Sequence, residues 1–387
     1  MRNAFLNEHE TKVALADFIL KAPKLSMDSQ CLKFEKEFSK FQNCKDSILF
    51  NSGGSANLAI LQALRNMGIL NEGDKIGFSS LTWSTNVMPI IQMNMVPVPI
   101  DVDVHTLNSM SYHLEERIKQ EILDAFFITN ALGFSGNLDE IKRICNDNNI
   151  ILIEDNCESL GTELESGKTG NFGIASSFSF YVAHHMSTIE GGMVCVNNNK
   201  LAEMLRIVRA NGWDRNLTSE QQIQLRKKFN IKSEFESKYS FYDLGYNMRP
   251  TEITGFLGLY QLQFIKENIE KRENNFLFLE KFVENNPDLI VPNHSHISRL
   301  SSFAFPILCK NSQLKKRYFS KFSGENVEIR PMIAGNIQKQ PFYKKYVPNT
   351  YDLPGAEFIH NCGFYCGNYP ELTHKELELI SSCLMKY

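Results

Sequence analysis

Ser177-Phe178-Ser179-Phe180-Tyr181-Val182-Ala183-His184-His185-Met186-Ser187-Thr188-Ile189-Glu190-Gly191-Gly192 reads as a strand over 177–181, a polar turn carrying two neighbouring histidines, and the approach to a second strand over 193–196. Working outward, residues 47–50, 75–78, 96–100, 124–129 and 150–153 also read as short strands. Helical patterns lie between several of them. Phe34, Phe38 and Phe41 mark an early helix, a second runs from Ser55 to about Met67 and stops at Gly68, and others cover 138–148 and 200–211. Strand and helix in alternation predict an α/β domain with a mainly parallel central sheet. Residues 214–238 are polar and read as an exposed excursion. Gly245-Tyr246-Asn247-Met248-Arg249-Pro250 follows, with Pro250 placed to open a long helical stretch to about residue 281. A strand over 302–308, a helix over 312–322, a strand near 327–330 and a terminal helix from His374 then predict a smaller α+β domain. The expected division is 1–250 and 251–387.

The bulk numbers narrow the function. A chain of 387 residues with 43% hydrophobic content can bury a large interior. Lys+Arg 41 against Asp+Glu 44 leaves a net charge of −3. That balance offers nothing to nucleic acid or a membrane surface, so an anionic ligand needs a local site. Residues 1–12 are polar, without an apolar stretch of signal-peptide length. The nine cysteines are scattered, and the close pair Cys362 and Cys366 lacks zinc-site spacing, so no metal is expected. A reducing cytoplasm fits these cysteines best.

Three other stretches carry chemistry. Asn51-Ser52-Gly53-Gly54-Ser55-Ala56 joins a strand to a helix, and backbone N–H groups at a helix start suit a phosphate. A Gly-Gly turn by itself is more often only a tight connection. Glu154-Asp155-Asn156-Cys157-Glu158 ends the apolar strand Ile150-Ile151-Leu152-Ile153, where ligands bind in open α/β sheets. Asp155 there suits a protonated heteroaromatic nitrogen, with helix capping as the plain alternative. Trp83, in Thr82-Trp83-Ser84, is one of two tryptophans and suits either ring stacking or a core position.

Taken together and in order, these stretches resemble the DegT-type sugar aminotransferases, a branch of the aspartate aminotransferase superfamily. The resemblance spans essentially the whole chain. It implies a PLP-dependent transferase of fold type I, with a mixed, mostly parallel seven-stranded sheet in the large domain. It also implies roles. Gly54 and Ser55 would offer backbone amides to the cofactor phosphate and Ser179 its hydroxyl. Trp83 would stack on the pyridine ring, Asp155 would partner its nitrogen, and Glu158 would neighbour the ring hydroxyl. Asn247 would reach the phosphate from the second subunit of a homodimer. Arg249 and Arg330 are candidates for a substrate phosphate or the glutamate carboxylate, because guanidinium groups pair well with both.

One position departs from the family pattern. Five residues after Ser179, where the Schiff-base lysine belongs, stands His184. The family's nucleotide-sugar 3-dehydratases of 3,6-dideoxysugar pathways share this histidine, and the chain looks most like their GDP-linked branch. The implied activity is removal of the C3 hydroxyl of a GDP-4-keto-6-deoxy sugar by a pyridoxamine 5'-phosphate enzyme, with His184 as proton-transfer group and L-glutamate regenerating the amine from pyridoxal 5'-phosphate. Related CDP-sugar enzymes add an iron–sulfur cluster, which needs grouped cysteines; none lies between Cys195 and Cys309. The rival readings are an aminotransferase recruiting another lysine and an inactive cofactor-binding homologue. His185 is expected to point away from the site, since side chains alternate along an extended segment.

Overall fold

The computed structural model describes residues 3–386; Met1 and Arg2, at the start of the polar leader, and Tyr387 lie outside them. Among the described residues the strands are β1 (Asp46–Phe50), β2 (Lys75–Ser79), β3 (Val96–Ile100), β4 (Ala125–Thr129), β5 (Ile151–Asp155), β6 (Glu163–Leu164), β7 (Gly167–Lys168), β8 (Ala175–Ser179), β9 (Gly192–Val196), β10 (Ala304–Leu308), β11 (Ile329–Pro331) and β12 (Gly363–Gly367). The main sheet has the order β1-β9-β8-β5-β4-β2-β3. Only β9 runs against the other six, which is the mixed, mostly parallel seven-stranded sheet expected.

Burial on both faces explains why β4 reads Ala-Phe-Phe-Ile-Thr with no polar alternation. On one face, helices Gly53–Asn66 and Asn199–Arg209 pack Ile60, Leu64 and Leu205 against Ile48, Phe78 and Val194. On the other, Leu138, Ile141 and Ile144 cover Phe126 and Ile128, while Phe34 and Phe38 cover Leu49, Phe178 and Met193. The Phe38 and Phe178 rings meet edge to face at 5.4 Å.

Several boundaries move from those expected. The strand over 177–181 is seated two residues earlier, as β8. The chain leaves the sheet at Phe180, whose N–H donates to Gly191 O (2.9 Å) and whose carbonyl accepts from Thr188 N (2.9 Å). Residues 180–191 therefore form a loop closed on itself. Pro250 does not open a helix. Thr251 caps the helix Glu252–Leu262 by accepting from Thr254 N (3.3 Å), and the long stretch divides there from Ile265–Glu284. The excursion carries two helices, Ser219–Lys228 and Glu234–Ser237, the first with no buried residue.

Glu252 also caps another helix. Its carboxylate accepts from Asp28 N (2.7 Å), Gln30 N (2.9 Å) and Cys31 N (3.2 Å) at the start of Ser29–Gln42. The positive end of that helix is thus neutralised by a residue from the next unit.

The second sheet has the order β10-β12-β11, all antiparallel. Its core takes in Leu132 and Phe134 from the large unit, whereas Ile337, Tyr343 and Val347 pack into the large unit's core. The division at 250/251 is our proposal for the domains; this exchange ties the two together. No helix among the described residues is long and apolar enough to cross a membrane.

The turn that begins helix Gly53–Asn66 sits directly on β9. A Cβ on Gly192 would lie 2.2 Å from Ser52 O and 2.6 Å from Gly53 N, both backbone atoms. Gly192→Ala should therefore destabilise the protein by about 1–3 kcal/mol, the scale of overpacking. Gly324→Ala, at a position with open space around it, should be neutral or slightly stabilising. Urea unfolding midpoints of the two variants check this, and equal midpoints would contradict it.

Candidate active site

The turn expected to take a phosphate is built by an N-cap. Ser52 has extended backbone, its Oγ accepts from Ser55 N (3.0 Å), and its hydroxyl donates to Ser55 Oγ (2.9 Å). Ser55's own amide is thus engaged, while its hydroxyl keeps a proton to donate. The amides of Gly53 and Gly54 head the helix. A Cβ on Gly53 would stand 2.7 Å from Ser179 Cβ and 3.0 Å from Ser179 Oγ. The turn at the end of β1 and the serine at the end of β8 are therefore in contact, as a shared phosphate cradle requires.

Asp155 closes β5 and is 3% exposed. Its Oδ2 accepts from Asn86 Nδ2 (2.7 Å) and Asn57 Nδ2 (3.1 Å), and its Oδ1 from Cys157 N (2.9 Å). The two asparagines were not foreseen. Asn57 lies one helical turn after Gly54, and a buried amide inside the run Ala56-Asn57-Leu58-Ala59-Ile60 was the available signal. Asn86 closes the short helix Ser84–Asn86 that Trp83 starts, and its N–H donates to Trp83 O (3.2 Å). Trp83 itself is 58% exposed, so the core reading does not hold. Its exposed ring stands at the start of the short turn that carries Asn86 to Asp155. Neighbouring Glu154 is structural, accepting from the amides of Gly170, Phe172 and Gly173.

Glu158 accepts from Leu132 N (2.9 Å), and Leu132 holds a left-handed backbone (φ 57°) in doing so. Burial, opposed by that bond and reinforced by the Asp155 carboxylate, pushes Glu158 up to about 7. It can therefore offer a proton near neutral pH.

His184 is half-buried, with Nδ1 shielded from solvent and unpartnered. Its ring lies 5.2 Å from Phe303 and 6.0 Å from Tyr181. Phe303 N donates to Leu132 O (3.0 Å), so one aromatic residue joins His184 to the backbone that holds Glu158. Burial first, and the Arg272 guanidinium second, push His184 down to about 4. At neutral pH the imidazole is an uncharged base.

His185 is buried, and its Nε2 meets Ser301 O at 3.0 Å. Its separation from His184 does not arise from strand alternation, because His184 N donates to Tyr181 O (2.8 Å) and the segment turns there. Asn247 and Arg249 are exposed; Arg249 Nε donates to Asn247 Oδ1 (3.2 Å), and Asn51 N donates to Met248 O (3.1 Å). Their segment thus borders the phosphate turn of its own chain. Arg330 is exposed on β11, paired with Glu328 and opposite Tyr365 of β12. These contacts do not join either arginine to His184. Among the described residues no group of three His, Cys, Asp or Glu side chains could hold a metal ion.

The model of the DegT/DnrJ/EryC1/StrS aminotransferase family matches residues 7–385. This chain belongs to that family. A relative from Escherichia coli O55:H7, GDP-4-keto-6-deoxy-D-mannose 3-dehydratase, is 30% identical over 373 residues, covering 95% of this chain and 94% of its own. The solved E. coli GDP-4-keto-6-deoxy-D-mannose-3-dehydratase with bound hydrated PLP superposes with a TM-score of 0.89 at 29% identity, over 97% of this chain and 96% of that one. A further structure, GDP-4-keto-6-deoxymannose-3-dehydratase with a trapped PLP-glutamate geminal diamine, gives 0.89 at 28% identity, over 97% of both chains. The residues found here fit a family cofactor. An exposed indole, a clamped carboxylate and a helix-start turn against a serine form a donor set for a phosphorylated pyridine.

The Asp155 clamp is testable without any ligand. Asn86→Ala removes a bond to a charged acceptor and should cost about 1.5–3 kcal/mol. Asn57→Ala, with the longer bond, should cost less. Thermal unfolding of the cofactor-free protein reads both, and an unchanged Asn86→Ala midpoint would mean that the clamp is not formed.

Proposed function

We propose that this chain is a pyridoxamine-phosphate-dependent nucleotide-sugar 3-dehydratase, removing the C3 hydroxyl of a GDP-4-keto-6-deoxy sugar with L-glutamate as amine donor. The sugar is GDP-4-keto-6-deoxy-D-mannose or a related heptose. The observation that carries this reading is His184, an uncharged base at the place of the Schiff-base lysine. No lysine lies between Lys168 and Lys200, and Lys168 is committed elsewhere, bonded to Phe41 O and lying over the Phe41 ring. The names of the relatives support the same reading.

The pyridoxamine cofactor, when bound, supplies an amine for the 4-keto carbon and a ring that withdraws electrons. The chain's own residues do the rest. Gly54, Ser55 and Ser179 would hold the phosphate. Trp83 would stack on the ring, Asp155 would keep its nitrogen protonated, and Glu158 would hydrogen-bond to its hydroxyl. His184 would be the proton carrier of the site, working at Nε2 because Nδ1 is shut away, and would return a proton to the departing 3-hydroxyl. Arg249 and Arg330 are the surface cations offered to substrate phosphate or glutamate carboxylate. The enzyme works in the cytoplasm as a homodimer, with Asn247 of the partner subunit at each phosphate. The exposure of Tyr239, Phe241 and Leu244 beside Asn247 supports that pairing.

Four outcomes are expected. With L-glutamate and GDP- or CDP-linked 4-keto sugars, the product should be a 3-deoxy ketone from the GDP substrate; a 4-amino sugar would mean an aminotransferase, and no product an inactive homologue. His184→Asn should keep cofactor affinity but lose ~100-fold or more in kcat, with His185→Asn much milder. Near-normal turnover in His184→Asn would remove His184 from the mechanism. Because the base form is required and its titration lies near 4, the acid limb of kcat/KM should fall below the ordinary imidazole value of about 6.5. For the dimer, sedimentation and activity on dilution should fall together, and a fully active monomer would refute it.

A further inference from the structure

Behind the two histidines lies a cation with no acid at ion-pair distance among the described residues. Arg272, on the helix Ile265–Glu284, is 3% exposed. Its Nε donates to Asn268 Oδ1 (2.8 Å), and its NH1 donates to the carbonyls of Phe303 (2.9 Å), Ser302 (3.4 Å) and Asn368. Asn268 in turn donates from Nδ2 to His185 O, and Asn368 Nδ2 donates to Arg272 O (2.9 Å). Three segments are tied at one guanidinium: the His184–His185 loop, the entry to β10 and the exit from β12. Phe303, held by that tie, is the ring that packs on both imidazoles, at 5.2 and 6.1 Å.

We infer that Arg272 is the positioning residue of the proton-transfer step, holding the His184–His185 loop against Phe303 and setting a fixed positive charge behind the imidazole. This rests on the reading of His184 as the proton-transfer group. A staple alone does not require a charge, and burying one without an acid partner is costly. What a guanidinium adds over a neutral donor is its field, which is strong where water is excluded. Burial lowers its own value only to about 10, so it remains a cation at neutral pH.

Among the described residues, the other groups facing His184 are Tyr181 and His185 from its own loop, the uncharged Phe303 from the β10 side, and Tyr369, which lines the same cavity after β12; residues 3–6 on the cavity wall are not titratable. Glu371 lines the same cavity and opposes Arg272, without reaching ion-pair distance. Arg272 is the one charged cause acting on His184, second to burial. Its effect is directional. It keeps the base free of a solvent proton before the reaction and drives the acquired proton off toward the leaving hydroxyl.

The experiment is a histidine-labelled NMR titration of the cofactor-free protein, with the His184 signal assigned by its loss in His184→Asn, alongside kcat against pH for the holoenzyme. In Arg272→Met the His184 titration should rise but stay below the ordinary value of about 6.5, because burial remains, and the acid limb of kcat should move with it. Arg272→Lys keeps the charge but loses the fork, so its titration should stay low while kcat falls about tenfold at every pH, part of the scale of a positioned acid–base group. An unmoved His184 titration in Arg272→Met would overturn the inference. Should Arg272→Met not fold, Arg272→Lys decides: a low titration with a pH-independent loss supports the inference, and a raised titration or an unchanged kcat overturns it. Product analysis reads the reaction separately. An amino-sugar product would end the dehydratase reading while leaving the charge coupling visible by NMR.

Discussion

Backbone lies on backbone where the Ser52-Gly53 turn crosses the start of β9, and the site is organised around that contact. Only a residue without a side chain at 192 lets Ser52 O and Gly53 N come so close. The same approach presses Gly53 on Ser179, at the end of β8. The helix that begins there carries Asn57 to Asp155, and Asp155 also receives Asn86 from the Trp83 segment. The proposed phosphate turn, ring-nitrogen partner and ring-stacking face are thus set relative to one another by a single close packing of strands and one helix.

The chemistry is tuned by exclusion of water more than by ion pairs. Burial raises Glu158 toward neutrality and lowers His184 well below it, so one acid and one base stand at adjacent ends of the same backbone link through Leu132 and Phe303. A lysine at 184 would carry a positive charge there or bond covalently to the cofactor. The histidine does neither.

The parts of this arrangement that follow local rules were legible in the sequence. β3 and the starts of the helices at Leu138 and His374 lie where periodicity and composition put them. The family motifs are contiguous, so Asp155, Ser179 and His184 could be picked out one by one. What was not legible depends on long-range packing. β12, Gly-Phe-Tyr-Cys-Gly, is too short and too glycine-bounded to announce itself as the middle strand of a sheet. Asn57, Asn86 and Arg272 are ordinary polar residues within helices, and only the fold shows that each is buried against a charged or proton-carrying group. The extension of β8 to residue 181 failed because a local turn outcompeted the strand, which pattern alone does not register.

Glu252 places a condition on how the chain is made. Helix Ser29–Gln42 begins with amides satisfied by a carboxylate 224 positions further on from Asp28. At a synthesis rate of about 5–20 residues per second, the start of that helix waits roughly 10–45 s on the ribosome before its cap exists. Phe34 and Phe38, which it must bury, have to wait as well. A segment made well before its cap is therefore among the last to be secured, and the nascent chain depends on whatever shields those two rings in the interval.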